Sequence, residues 1–178
     1  MKLNKLVYKI LVITFCCPLI SMAYSSEQQS PLDYNDAGSS FSVYSGVLDF
    51  SDRRQKAPLI GFEHQNNNLN KDTFIGNISP ITGALLTSDM QGYIYTGIQA
   101  KYKLGKVDFT PSFTPGLYGR GHGKDLGHII EFKTELQFSL NLAENSKMGF
   151  RYNHISNAQI GDKNPGINSY MFNFLKKF

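Results

Sequence analysis

The sequence predicts an all-β protein, an eight-stranded antiparallel transmembrane β-barrel of the outer-membrane type. Three observations carry this expectation. The chain opens with the pattern of an export signal, alternates apolar and polar residues over a long stretch near residue 135, and stops on an aromatic-rich strand. After the leader, no apolar run is long enough for a membrane helix. A barrel does not need one, because its membrane signal is alternation and not a solid apolar block.

The leader comes first. Lys2, Lys5 and Lys9 form a positive start, residues 10–20 an apolar core, and Ser21-Met22-Ala23 puts small residues where a signal peptidase reads. Phe15 precedes Cys16, which does not fit a lipoprotein signal. The apolar core is also short of the ~20 residues a membrane-spanning helix needs. Residues 1–23 are therefore predicted to be a signal peptide cut after Ala23. Cleavage removes Cys16 and Cys17, the only cysteines, and with them any disulfide framework or thiolate metal site. It also removes three of the eighteen basic residues, leaving fifteen against fourteen acidic ones, or +1. The whole-chain charge of +4 and pI of 9.0 thus give no reason to expect a nucleic-acid partner. The 155 residues left suit one domain.

Residues 24–40 are predicted to be a flexible N-terminal segment, and 41–178 the barrel. The first three strand candidates are 41–50, 57–65 and 73–87, the last two with ill-defined ends. The fourth, 93–103, alternates Tyr93, Tyr95, Gly97 and Gln99 with Ile94, Thr96, Ile98 and Ala100. The fifth, 107–118, carries Pro111 and Pro115, which each lack a ladder donor and predict a bulge or weakened pairing. The sixth, 128–142, alternates most clearly. His128, Ile130, Phe132, Thr134, Leu136, Phe138, Leu140 and Leu142 share one face, and Glu131, Lys133, Glu135 and Gln137 the other. Strands at 147–156 and 168–178 complete the set, the last with Tyr170, Phe172, Phe174 and Phe178 on one face. With both termini in the periplasm, the long connections Gly119–Gly127 and Asn157–Ile167 face outside, and the tight ones near Gly105 and 144–146 face inside. The polar run Gln65–Asp72 breaks this rule, being too long for a periplasmic turn.

Eight strands enclose an interior just wide enough for side chains. Glu131, Lys133, Glu135 and Arg151 are predicted to fill it as a charge-paired core, which leaves no pore. Any reaction must then sit on the outer wall or the loops. On the seventh strand, Met148, Phe150, Tyr152, His154 and Ser156 face outward. Polar groups facing hydrocarbon are costly unless they pair, and His154 and Ser156, two apart on a strand, are neighbours. A nucleophilic serine needs a base beside it, and that base needs a third group to orient it. Asn168 has the outward parity and the position to face His154. On these residues alone, an interfacial His and Ser at the barrel rim fits as well.

The run His154-Ile155-Ser156-Asn157-Ala158, followed by Asn164-Pro165-Gly166-Ile167, resembles the lipid A 3-O-deacylase (PagL) family, often described as acyloxyacyl hydrolases. The resemblance implies an esterase of the Gram-negative outer membrane. Its substrate is lipid A within lipopolysaccharide, from which it releases the 3-hydroxyacyl chain esterified at position 3, without metal or cofactor. It implies Ser156 as nucleophile, His154 as general base, and Asn164, with Asn157 beside it, at the oxyanion. Turn formation is the alternative role for both asparagines. At position 168, where members of the family carry a glutamate as the triad acid, this chain has asparagine. An amide oxygen can accept the imidazole Nδ1 proton but brings no charge, and an Asp-to-Asn change at this role costs about 10⁴ in rate in chymotrypsin-type enzymes. A weak or silent barrel with a structural or binding role is therefore the second reading. An esterase for phospholipid or another acyl substrate is the third, and Asp162 is a candidate substitute acid, against the alternative of a solvated loop carboxylate. Arg120 and Lys124, with His122 between them, are candidates for holding lipid A phosphates, against the alternative of a solvated loop. Oligomeric state stays open, a homodimer among the options.

Overall fold

Outward apolar and inward polar residues at period two dictate strands that close on themselves, since an open edge in lipid would strand its backbone donors and acceptors. The computed structural model describes residues 38–178 except 51, 53 and 54. The expected signal peptide 1–23 and nearly all of the expected flexible segment 24–40 lie outside the described residues. The strands are β1 (Ser39–Leu48), β2 (Ala57–Asn66), β3 (Lys71–Thr73), β4 (Gly76–Thr87), β5 (Gly92–Leu104), β6 (Val107–Gly119), β7 (Ile130–Ala143), β8 (Ser146–Ser156) and β9 (Ile167–Lys177). Antiparallel pairing runs β2-β1-β9-β8-β7-β6-β5-β4, and a β2–β4 ladder from Leu59↔Thr87 to Gln65↔Ile81 closes the ring. The result is a closed eight-stranded barrel, with β3 a short extra piece on β4. Its main strands run 10 to 14 residues, enough for tilted strands to cross a bilayer core.

The Gln65–Asp72 exception resolves here. The Asn66 side chain accepts from the Asn68 N–H and caps one 3₁₀ turn over Asn67–Leu69, after which β3 resumes pairing with β4. The reversal itself is the tight turn at Phe74-Ile75, so the polar run is a kink within a long hairpin arm and not a loop. At the prolines the register of β5 and β6 stays constant, with no bulge. Pairs are made at Tyr95↔Gly116, Ile98↔Phe113 and Tyr102↔Phe109, but pairing lapses opposite Pro111 and Pro115. On the other side, β6 pairs with β7 without a break. The weakened pairing expected from the missing N–H groups is there, on one edge of the strand only.

The interior is polar and full. Arg151 Nη2 lies 3.0 Å from Glu63 Oε1 and Nη1 3.1 Å from Glu135 Oε1, while Lys133 Nζ lies 3.3 Å from Glu135 and 3.8 Å from Glu63. Tyr95 donates to Glu63 at 2.9 Å, Lys133 sits 3.7 Å over the Tyr95 ring, and Arg151 lies over Tyr44. Inward glycines make the room: a Cβ on Gly61, Gly83 or Gly116 would run into the rings of Tyr44, Tyr95 or Tyr93. Among the described residues Glu131, expected in this network, makes no ion pair. It sits one position nearer the loops, beside Asn157. The outer wall is apolar, with Phe62, Ile94, Leu117 and Phe172 all more than half exposed.

Candidate active site

Four connections cluster at one end: L1 (49–56), L2 (88–91), L3 (120–129) and L4 (157–166). Among the described residues the chain reverses at the opposite end in tight turns at 74–75, 105–106 and 144–145, so the strand ends under the loops are where side chains can project beyond a lipid-facing wall. The antiparallel ladder of β8 and β9 puts His154 directly opposite Asn168 and Tyr152 opposite Tyr170. Directly opposed Cβ atoms lie ~4.5–5.5 Å apart, close enough for a side-chain bond. His154 Nδ1 meets Asn168 Oδ1 at 2.8 Å. With an amide oxygen as acceptor, Nδ1 carries the proton and Nε2 is left with its lone pair. Ser156 shares the outward face of β8 with His154 and is half-buried. Among the described residues its hydroxyl has no hydrogen-bond partner. Nucleophile–base contacts are often long before substrate arrives and tighten on binding.

Two further features shape the site. Gly166, at φ +62, packs against the imidazole edge; a Cβ there would lie 2.8 Å from His154 Cε1 and 3.3 Å from Nε2. The glycine thus lets L4 return over the histidine without displacing it, a role the Asn-Pro-Gly spelling does not announce. Phe50, from L1, donates its N–H to the Asn168 carbonyl at 3.3 Å and packs its ring 4.1 Å from that of Tyr170 and 6.5 Å from that of Tyr152.

The two asparagines of L4 differ. Asn157 is fully buried, and its amide hydrogens go to the carbonyls of Leu126 at 2.7 Å and Lys163 at 2.8 Å, while its Oδ1 accepts from the Gln159 N–H. It ties L3 to L4 and has no side-chain donor left for a substrate. Asn164 is half-buried, and its Oδ1 accepts from the Asn157 N–H at 3.1 Å. That bond fixes the amide plane, and among the described residues its Nδ2 has no acceptor.

The remaining candidates lie apart from this group. Lys124 is bound to Asp49 at 2.8 Å and joins L3 to L1. Arg120 is exposed and faces Asp125 at 3.4 Å, and Lys163 holds the same carboxylate at 2.9 Å. Asp162 is exposed on L4, and the group that meets His154 Nδ1 is Asn168. Among the described residues no three His, Cys, Asp or Glu side chains are grouped to hold a metal ion. The feature missed at sequence level is the hydroxyl of Tyr152, which donates to Asn168 Oδ1 at 2.9 Å. An outward tyrosine reads as lipid-facing, and only its diagonal relation to position 168 signals otherwise.

Comparisons with known proteins bear on the fold and on the family. The crystal structure of the outer membrane enzyme PagL superposes with a TM-score of 0.59 at 16% identity, covering 78% of this chain and 99% of that one. A de novo designed transmembrane β-barrel superposes at 0.52 with 9% identity, covering 80% and 97%. At such identities these likenesses speak to the barrel alone. No curated protein sequence matches the chain. The model of the lipid A 3-O-deacylase (PagL) family, however, matches residues 56–177, from the start of β2 to the end of β9. A match over that span takes in the barrel's closing strands and the His154–Asn168 pair alike, and the chain belongs to the lipid A 3-O-deacylase (PagL) family.

Proposed function

We propose that this protein is an outer-membrane serine esterase that removes the ester-linked 3-hydroxyacyl chain from position 3 of lipid A. The single observation that carries the reading is the His154 Nδ1–Asn168 Oδ1 bond on the outer wall, with Ser156 beside it on the same face. The Ser156 proton passes to His154 Nε2 as Oγ attacks the ester carbonyl carbon. The oxyanion that forms accepts from Asn164 Nδ2, and one such donor is worth ~3–4 kcal/mol in the transition state. Collapse breaks the bond to the sugar 3-oxygen, which leaves with the proton from His154. Water then enters by the same base and frees the hydroxy acid and Ser156. Asn157 acts one step back, presenting the N–H that orients Asn164.

The site's depth suits this substrate. The apolar outer faces of β7, β8 and β9 offer acyl chains a lipid-like wall, while the loop end offers the sugar polar groups. A reading as a silent barrel is favoured by one observation, the neutral Asn168 where the family resemblance expects a carboxylate. Both readings meet in one experiment. Lipid A from a Gram-negative host expressing the wild type, Ser156→Ala or Asn168→Glu is examined by mass spectrometry. The esterase reading expects loss of one 3-hydroxyacyl chain with the wild type, none with Ser156→Ala, and faster loss with Asn168→Glu. Product from Asn168→Glu alone would establish a decayed enzyme on an intact scaffold. Unchanged lipid A from all three folded barrels would sink lipid A as the substrate.

A further inference from the structure

We propose that Tyr152 is a positioning residue that fixes the tautomer of His154 by holding the Asn168 amide with its oxygen toward the imidazole. The inference rests on the esterase reading for its catalytic consequence, but its structural content stands on five contacts made by Tyr152 and Asn168. Asn168 Oδ1 accepts from His154 Nδ1 at 2.8 Å and from Tyr152 Oη at 2.9 Å. The Tyr152 ring packs against the paired rings of Tyr170, at 5.3 Å, and Phe50, at 6.5 Å, which lie 4.1 Å from each other. Phe50 is in turn tied to the Asn168 backbone by its N–H. The hydroxyl is therefore delivered from a packed ring to one side of one oxygen.

The need for such a device follows from the amide. A carboxylate presents an acceptor to the histidine whichever way it rotates. An asparagine has one acceptor and one double donor, and a half-turn about its last bond exchanges them. If Nδ2 faced His154, it would donate to Nδ1, the imidazole proton would move to Nε2, and the base could no longer take the serine proton. That wrong tautomer is the chief reason an Asp-to-Asn change is so costly in chymotrypsin-type triads. Tyr152 weights the choice. A phenol donates well and accepts poorly, because its oxygen lone pair is delocalised into the ring, whereas an amide oxygen is a strong acceptor. Oη–H to Oδ1 is thus the better of the two arrangements the tyrosine can make, and it places the same oxygen toward Nδ1. What a carboxylate achieves by symmetry and charge, Tyr152 and Asn168 achieve in part by orientation.

The role predicts coupling between positions 152 and 168 that a merely structural tyrosine would not show. The full-length folded barrel is labelled with ¹⁵N-histidine, and the His154 signals, assigned by comparison with His154→Gln, report which ring nitrogen carries the proton. The wild type is expected to show the Nδ1–H form, and Tyr152→Phe, which keeps the ring packing, a shift toward Nε2–H. On lipid A, Tyr152→Phe is expected to lower kcat roughly ten- to a hundredfold with little change in KM. In an Asn168→Glu background, where rotation changes nothing, the same substitution is expected to cost less than about threefold. An Nε2–H wild type, an unmoved tautomer in Tyr152→Phe, or equal losses in both backgrounds would overturn the proposal. A tautomer shift in a protein that releases no acyl chain would uphold the positioning role and defeat the esterase reading instead.

Discussion

Strand β8 carries two polar constellations on opposite faces, and they are built to different standards. Inward, Arg151, Asn153 and Ile155 are fully buried, and the guanidinium is matched by two carboxylates, with Lys133 completing a four-member network. Outward, Tyr152, His154 and Ser156 are half-buried, and the one acceptor that organises them is a neutral amide serving two donors. Burial explains the difference. A charge in the barrel interior has no water to fall back on, so Arg151 and Lys133 are matched by Glu63 and Glu135, while Arg151 Nε and Asn153 Oδ1 have no hydrogen-bond partner among the described residues. Among the described residues, the outer group is left with a serine hydroxyl without a partner and an Asn164 amide nitrogen without an acceptor. Unspent hydrogen-bonding capacity at one depth of an otherwise apolar wall is what a substrate can complete.

The contrast is broken most forcefully from the inside. Arg151→Leu removes the guanidinium and leaves Glu63 and Glu135 facing each other with Lys133 alone between them. Removing one partner from a buried ion network costs ~3–5 kcal/mol, and the urea midpoint of the barrel refolded in detergent should fall accordingly. The outer site lies on the other face of the same strand, so kcat measured where the variant is still folded should change little. An unchanged midpoint would mean that the interior charges are neutralised by other means. A collapse of kcat in the folded variant would mean that the two faces are coupled through β8.

The same contrast explains what was legible in the sequence. Inward polar and outward apolar residues leave a period-two trace wherever a strand is straight, which is why 107–118, 128–142 and 147–156 read clearly and Arg151 and His154 fall on opposite faces by parity alone. The trace fails at Asn66-Asn67-Asn68, where a side chain caps the backbone locally and turns the chain out of the ladder for one 3₁₀ turn. Polar residues there look the same whether they form a loop or a kink. At the site, parity and the antiparallel register place Asn168 against His154, while contacts between distant segments leave no local signature. Phe50 reaches Asn168 from L1, and nothing in the neighbourhood of either residue spells that out. The Glu131 expectation failed for a related reason, since parity gives the face but not the depth, and depth decides which charges can meet.

A smaller perturbation tests the outer face. Gly166→Ala adds a Cβ that would press on His154 Cε1 at 2.8 Å, at a backbone angle of φ +62. Holding an alanine in the left-handed region costs ~1–2 kcal/mol, and misplacing a catalytic group by an ångström costs about 10² in rate. The expected result is a modest loss of barrel stability with a roughly hundredfold loss of kcat, the inverse of the Arg151 variant. Full activity in a destabilised Gly166→Ala barrel would mean that the working imidazole does not sit where this structure has it.

The least effect is expected at the exposed tie between the loops. Asp125 on L3 accepts from Lys163 on L4 at 2.9 Å and from the Gly127 N–H at 2.9 Å. The Lys163 hydrogen bond, with the Gly127 N–H adding to it, holds the Asp125 carboxyl below the usual carboxylate range. A lowered value in the folded state means that the tie is fully present above the ordinary carboxylate pKa and fades as pH falls through the lowered one. Because the pair is exposed, salt should weaken it as acid does. The measurement is amide exchange at Gly127 in wild type and Asp125→Asn, compared at each pH so that the chemical exchange rate cancels. Protection should differ between the two near neutrality and converge in acid or high salt, with the unfolding midpoint the same for both. Asn157, buried and bonded to both loops, would then be what keeps L4 over His154. A loss of kcat in Asp125→Asn comparable to that of Gly166→Ala would instead put the Lys163 tie among the contacts that hold Asn164 in place.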